Sequence, residues 1–263
     1  MEFTKANTYT GGTTVSEGVL KFTDAAVVAN GPITVGADGT LEYNLSSGKT
    51  QLLTIYETED SNNKITSTGK VVKTGVGTLQ IFTAAAGLVD ASSFVVSSGR
   101  LDMKEYFTGT LEVDSGATMS PGNSIGKLTV DGDFNLNGGT LLMEVAGPTP
   151  DDSDQLIVIN DGSLIFGEGA TIVLDFVNGM SPNAEFAVVI DAPNSNDDWV
   201  KYVDASYFTD LSYTQTGPDG RWVLSGHVDA NAVPEPSTWA LLVLGVALWS
   251  ATACRRFHYG KRR

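Results

Sequence analysis

Apolar and polar residues alternate in short runs along most of this chain. In the run Gly109–Asp114, Leu111 and Val113 fall on one side of an extended backbone, while Thr110, Glu112 and Asp114 fall on the other. A glycine, one variable residue and a leucine recur at Gly18–Leu20, Gly39–Leu41, Gly77–Leu79, Gly99–Leu101, Gly109–Leu111, Gly126–Leu128, Gly139–Leu141 and Gly162–Leu164. Most spacings fall between about 10 and 23 residues, several near 20. Period two predicts strands, and the glycines predict tight corners that need positive φ.

One such strand has nowhere to bury its apolar face. Stacked coils bury it in a continuous interior of Leu, Val, Ile and Phe. The expected fold is therefore all-β: a right-handed parallel β-helix, or solenoid, with a sandwich of similar strands as the alternative. The repeat domain is expected over residues 1–183. From Glu185 the pattern changes. Glu185–Ala192 and Gly220–Val228 still read as strands, but an aromatic, Asp-rich stretch separates them. A C-terminal β cap is expected over 184–230, closing the open edge of the stack. The chain opens inside a repeat-like unit, which predicts a solenoid truncated at its N-terminus.

Composition permits a real core, at 41% hydrophobic and 18% charged residues. Charge is unevenly distributed. Through Ser237 the chain has 11 basic and 31 acidic groups, a net of −20, and the tail restores +5. An acidic body excludes nucleic acid as a partner, because phosphate binding needs clustered Lys or Arg. Cys254 is the only cysteine, so no intrachain disulfide forms. The first residues contain no charged-then-apolar export signal.

The C-terminal end is organised differently. Thr238–Cys254 is a run of 17 uncharged residues. As a helix it spans roughly 25 Å, slightly less than a hydrocarbon core of about 30 Å. Leu241, Leu242, Val243, Leu244, Val246 and Leu248 each favour insertion by about 0.3–0.6 kcal/mol, roughly 2–4 kcal/mol together. Trp239 and Trp249 lie near the two ends, where interfacial aromatics belong. A single transmembrane helix is expected over 238–254, with 255–263 as a basic cytoplasmic tail. Arg255 and Arg256 act as the stop and topology signal, and the acidic body lies across the membrane. Before the helix, Pro234 and Pro236 force an extended backbone over 231–237. Such a peptide suits an enzyme that threads a backbone through its site.

The segment from Val233 to Phe257 resembles the PEP-CTERM sorting signal of Gram-negative surface proteins. That signal has a Val-Pro-Glu-Pro motif, an apolar helix and an Arg-rich end, in this order. Val233, Pro234, Glu235, Pro236 and Ser237 map onto its recognition motif. The residues after the Arg pair run somewhat longer than the usual tail. The resemblance implies recognition by an exosortase, a membrane-embedded cysteine protease-like transpeptidase, and sorting to the envelope or an extracellular polymer matrix. A second resemblance covers the body. Residues 6–22 and 115–145, including Ser120-Pro121-Gly122-Asn123-Ser124, are similar to autotransporter-associated β-strand repeats; 23–75 match loosely. It implies an exported β-helical surface protein, structural or adhesive. No outer-membrane barrel follows, so self-translocation is not implied.

Candidate chemistry is sparse. Ser225, His227 and Asp229 alternate onto one strand face, too crowded for a positioned triad, so His227 is expected to be a cap-strand histidine. His258 falls in the tail. Asp131 and Asp133 read as turn residues. Asp151, Asp152 and Asp154 lie in a loop with the composition for weak Ca²⁺ binding, but without the Gly and terminal Glu of an EF-hand. Asp197 and Asp198 form a further acidic pair. Cys254 reads as a membrane-boundary residue. No catalytic residue, metal site or cofactor is expected. The expected function is non-enzymatic, with an exosortase, inner-membrane lipid during sorting and extracellular polysaccharide as partners. The alternative is an extracellular β-helix enzyme that degrades polysaccharide.

Overall fold

Leu20, Leu41, Val71, Phe94, Leu111, Phe134 and Leu164 form one buried row, each in register with the next on a neighbouring strand. The computed structural model that contains this row describes residues 1–5, 9, 11–24, 31–55, 64–83, 89–177, 181, 183–195, 198–203, 208–216 and 221–229. In chain order the strands are β1 (Glu2–Phe3), β2 (Thr13–Thr23), β3 (Ile33–Asn44), β4 (Thr50–Ile55), β5 (Ile65–Thr74), β6 (Thr78–Thr83) and β7 (Val89–Val96). There follow β8 (Gly99–Asp114), β9 (Ala117–Ser120), β10 (Lys127–Asp131), β11 (Phe134–Asn137), β12 (Thr140–Val145) and β13 (Gln155–Ile159). The last are β14 (Ser163–Phe166), β15 (Thr171–Phe176), β16 (Glu185–Asp191), β17 (Asn194–Ser195), β18 (Phe208–Thr216) and β19 (Arg221–Val228).

These strands form one large, open, mostly parallel sheet in two ladders. The first runs β1, β2, β3, β5, β7 and the second half of β8. It then continues through the pairs β10 with β11, β13 with β14, and β16 with β17. The second runs β4, β6, the first half of β8, β9, β12 and β15. From β3 to β17 the chain alternates between ladders, so each pass lies beside the previous one. β8 serves both ladders, with exposed Glu105 at φ 78° where it changes direction.

Alternation decides what each ladder buries. Leu101, Met119, Leu141 and Ile172 form the equivalent inward row of the second ladder. Each buried Leu, Phe or Met contributes about 1.5–3 kcal/mol by leaving water. At the start of the chain, Phe3 stacks on Phe22 at 5.6 Å and Phe22 on Tyr43 at 5.7 Å. Outward positions carry Thr, Lys, Glu and Asn, as in the ion pair of Lys21 with Glu42 at 3.3 Å.

All eight leucines of the recurring glycine motif are buried. The glycines often serve a different purpose from the one expected. Gly162 does not need positive φ. A Cβ there would lie 2.0 Å from the Gly132 carbonyl oxygen, so the close approach of adjacent passes excludes any side chain.

On the far side of β16 the pairing changes from parallel to antiparallel. There β19 adds antiparallel, and β18 pairs antiparallel with β19, with a register shift between Thr209 and Ser212. Among the described residues no helix is long and apolar enough to cross a membrane. The expected extended segment 231–237, helix 238–254 and tail 255–263 lie outside the described residues.

Candidate functional site

The last described strand ends just before the candidate sorting segment. Val228, the last residue of β19, is fully buried and pairs with Phe208. Its N–H donates to the Ala184 carbonyl at 2.9 Å, and its carbonyl accepts from Asn183 N–H at 2.9 Å. One residue earlier, His227 stands between strands: Nε2 is 3.5 Å from Glu185 Oε1 on β16, and Nδ1 is 3.9 Å from Asp210 Oδ2 on β18. Ser225 lies in register with Ala187 and Ser212. His227 is thus a cross-strand partner of two exposed carboxylates. Val233, Pro234, Glu235, Pro236, Ser237, Cys254, Arg255, Arg256 and His258 lie outside the described residues.

Four of the carboxylates singled out in the sequence, Asp131, Asp133, Asp152 and Asp198, serve the turns. Asp131 accepts from Tyr106 Oη at 3.0 Å and Asn160 Nδ2 at 3.1 Å, and Asp133 accepts from Ser163 N–H at 2.9 Å. Asp152 accepts from Thr149 N–H and Oγ1, capping the short 3-10 turn Pro150–Asp152. Asp198 caps the turn Trp199–Tyr202 through Val200 N–H. Asp197 lies outside the described residues. Among the described residues, no group of three or more His, Cys, Asp or Glu side chains is arranged to hold a metal ion.

Two buried ionisable groups are Asp154 of the acidic loop and Lys73, which the sequence pattern did not single out. Asp154 is 0% exposed and accepts from Gly126 N–H at 2.7 Å, Glu144 N–H at 2.9 Å and Ser120 Oγ at 3.4 Å. Burial pushes it up to about 7, outweighing the two backbone donors that lower it. Lys73 is also 0% exposed. It takes the inward position between Tyr43 and Val96, and Nζ donates to the carbonyls of Thr74 and Gly75 at 2.8 Å and Ser98 at 3.1 Å. Burial lowers it to about 8.

A third cluster lies on the outer side of the second ladder. Asp102 is buried, pairs with Arg100 Nε and accepts from Gln80 Nε2 at 3.0 Å. Glu144 lies directly opposite Asp175 in register, and its Oε2 is buried without a hydrogen-bond partner. Burial raises Glu144; Arg100 lowers it, while Asp102 and Asp175 raise it. At the other end of the sheet, a groove of about 580 Å³ runs along β2 past Phe3 and Tyr9, without a histidine or cysteine in its lining.

Residues 232–256 match the PEP-CTERM protein-sorting motif. The match covers about a tenth of the chain and begins three residues after Asp229 closes the described structure. The PEP-CTERM motif marks the protein for processing by an exosortase and for export to the cell envelope or surface. No curated protein matches the chain.

Proposed function

We propose that this is a non-enzymatic, structural or adhesive envelope protein. Its body is read as a right-handed parallel β-helix of autotransporter-associated repeats over 1–183, with 184–230 as its cap. Alternation between two parallel ladders supports that reading, since each pass adds one coil to a common interior. The observation that carries the function is the PEP-CTERM motif immediately behind the last strand. Val233–Ser237 serve as the recognition peptide, 238–254 as the membrane helix, and Arg255 and Arg256 as the cytoplasmic stop. Outward Thr and Asn side chains offer hydrogen bonds to extracellular polysaccharide. Replacing Pro234, Glu235 and Pro236 with alanine in the full chain tests the reading. Retention of an intact Arg263 in the inner membrane is expected; normal delivery of the variant to the surface overturns it.

The second reading is a β-helix enzyme that degrades polysaccharide. Glu144, raised by burial and adjacent in charge to Arg100 and Asp102, favours it, because raised carboxylates suit general acid catalysis. Incubating the purified protein with neutral and acidic polysaccharides decides between them. Sustained product release, lost in Glu144→Gln, selects the enzyme.

A further inference from the structure

The junction between body and sorting motif leaves almost no slack. Val228 is pinned by two main-chain hydrogen bonds and buried side-chain packing. Only Asp229, Ala230 and Asn231 separate it from the first residue of the motif. From Val228 to Pro234 the chain reaches at most about 20 Å, even fully extended. A folded domain of about 100 residues has a radius of gyration of about 13 Å and is therefore roughly 30 Å or more across, which exceeds that reach. An enzyme that grips Pro234–Pro236 therefore comes up against the antiparallel end of the body.

That end has a defined character. Glu185 and Asp210, with side chains 69% and 83% exposed, flank His227 next to the tether. The face thus presents two solvent-facing carboxylates beside the tether, which suit a basic counter-surface.

We infer that the β16–β19–β18 end face is a docking surface for the processing enzyme, so that recognition extends from the sorting peptide onto the folded body. The inference rests on the sorting reading above. The tether converts contact with this face into an intramolecular event once the peptide is bound, which raises its effective concentration.

The test follows removal of the C-terminus by mass spectrometry in cells that make the enzyme, using the full chain. One variant inserts about 15 Gly and Ser residues between Asp229 and Ala230, adding roughly 20 Å of average reach. A second carries Glu185→Lys and Asp210→Lys, with a thermal melt to check the fold. Both are expected to slow processing by about fivefold or more while still permitting it. If the charge-reversed chain does not fold, the insertion alone decides. Processing of the insertion variant at the parental rate or faster overturns the inference. The Pro234, Glu235 and Pro236 alanine variant is the separate control: if it is still processed, the sorting reading itself fails.

Discussion

The Lys73 ammonium donates to the Ser98 carbonyl, 3.1 Å away on the next pass of the chain. With its bonds to Thr74 and Gly75, it staples two successive corners from inside the core. The arrangement costs desolvation, which lowers Lys73 from 10.5 to about 8. Between these values the unfolded chain holds a proton that the folded chain has released. Stability therefore rises as pH climbs through that window, by up to roughly 3 kcal/mol. Urea unfolding at pH 7.5 and pH 10 measures the gain. Lys73→Met, similar in length but uncharged, is expected to flatten it.

Asp154 has the opposite slope. Burial raises it from 3.8 to about 7, so in that window the folded chain keeps a proton the unfolded chain has lost. Stability is full below about pH 4 and falls by up to roughly 4 kcal/mol as pH rises to about 7. Raised Glu144 acts in the same direction. Combined with Lys73, these two groups favour a stability minimum close to pH 7–8. Asp154→Asn keeps the shape without the titration, and its urea midpoints at pH 4.5 and 7.5 should differ less than those of the parent. An equal difference would remove Asp154 as the cause.

Phe134 and Thr110 test whether the inward row is a single core. Phe134 is fully buried between Leu111 and Leu164, so Phe134→Ala should destabilise by about 3–5 kcal/mol. Thr110 is at a neighbouring outward position on β8, and Thr110→Ala should stay within about 0.5 kcal/mol. Equilibrium denaturation of both variants checks the contrast.

Much of this interior was legible because a buried strand face repeats every second residue. The motif of glycine, one residue and leucine located eight inward positions. It missed Val71 and Phe94, which occupy the same row behind Gly69-Lys70 and Ser92-Ser93. Register demands an apolar side chain there and not specifically leucine. Turns absorb length differences, which is why successive members of the row are 17 residues apart at Phe94–Leu111 and 30 at Phe134–Leu164. Lys73 stayed hidden because a polar residue in the inward phase reads as an outward one. Asp154 was read as a loop carboxylate; its burial stayed hidden because its partners Gly126 and Ser120 are 28 and 34 residues away in sequence. The PEP-CTERM motif was legible from the order of its three parts, which needs no tertiary contact.

The motif glycines were found for a reason that holds at only some of them, and two substitutions separate the reasons: Gly162, within the motif, and Gly116, outside it. Gly116 has φ 81° and open space where a Cβ would go. Gly116→Ala should cost about 1 kcal/mol, the left-handed penalty alone. Gly162 has ordinary φ, but a Cβ would meet the Gly132 oxygen at 2.0 Å and Val158 Cγ1 at 2.8 Å. Relieving a main-chain overlap requires two passes of the sheet to separate, so Gly162→Ala should cost about 3 kcal/mol. Thermal or urea unfolding of the two variants side by side measures the order. If Gly116→Ala proved the more damaging, backbone conformation and not the spacing between passes would govern these positions.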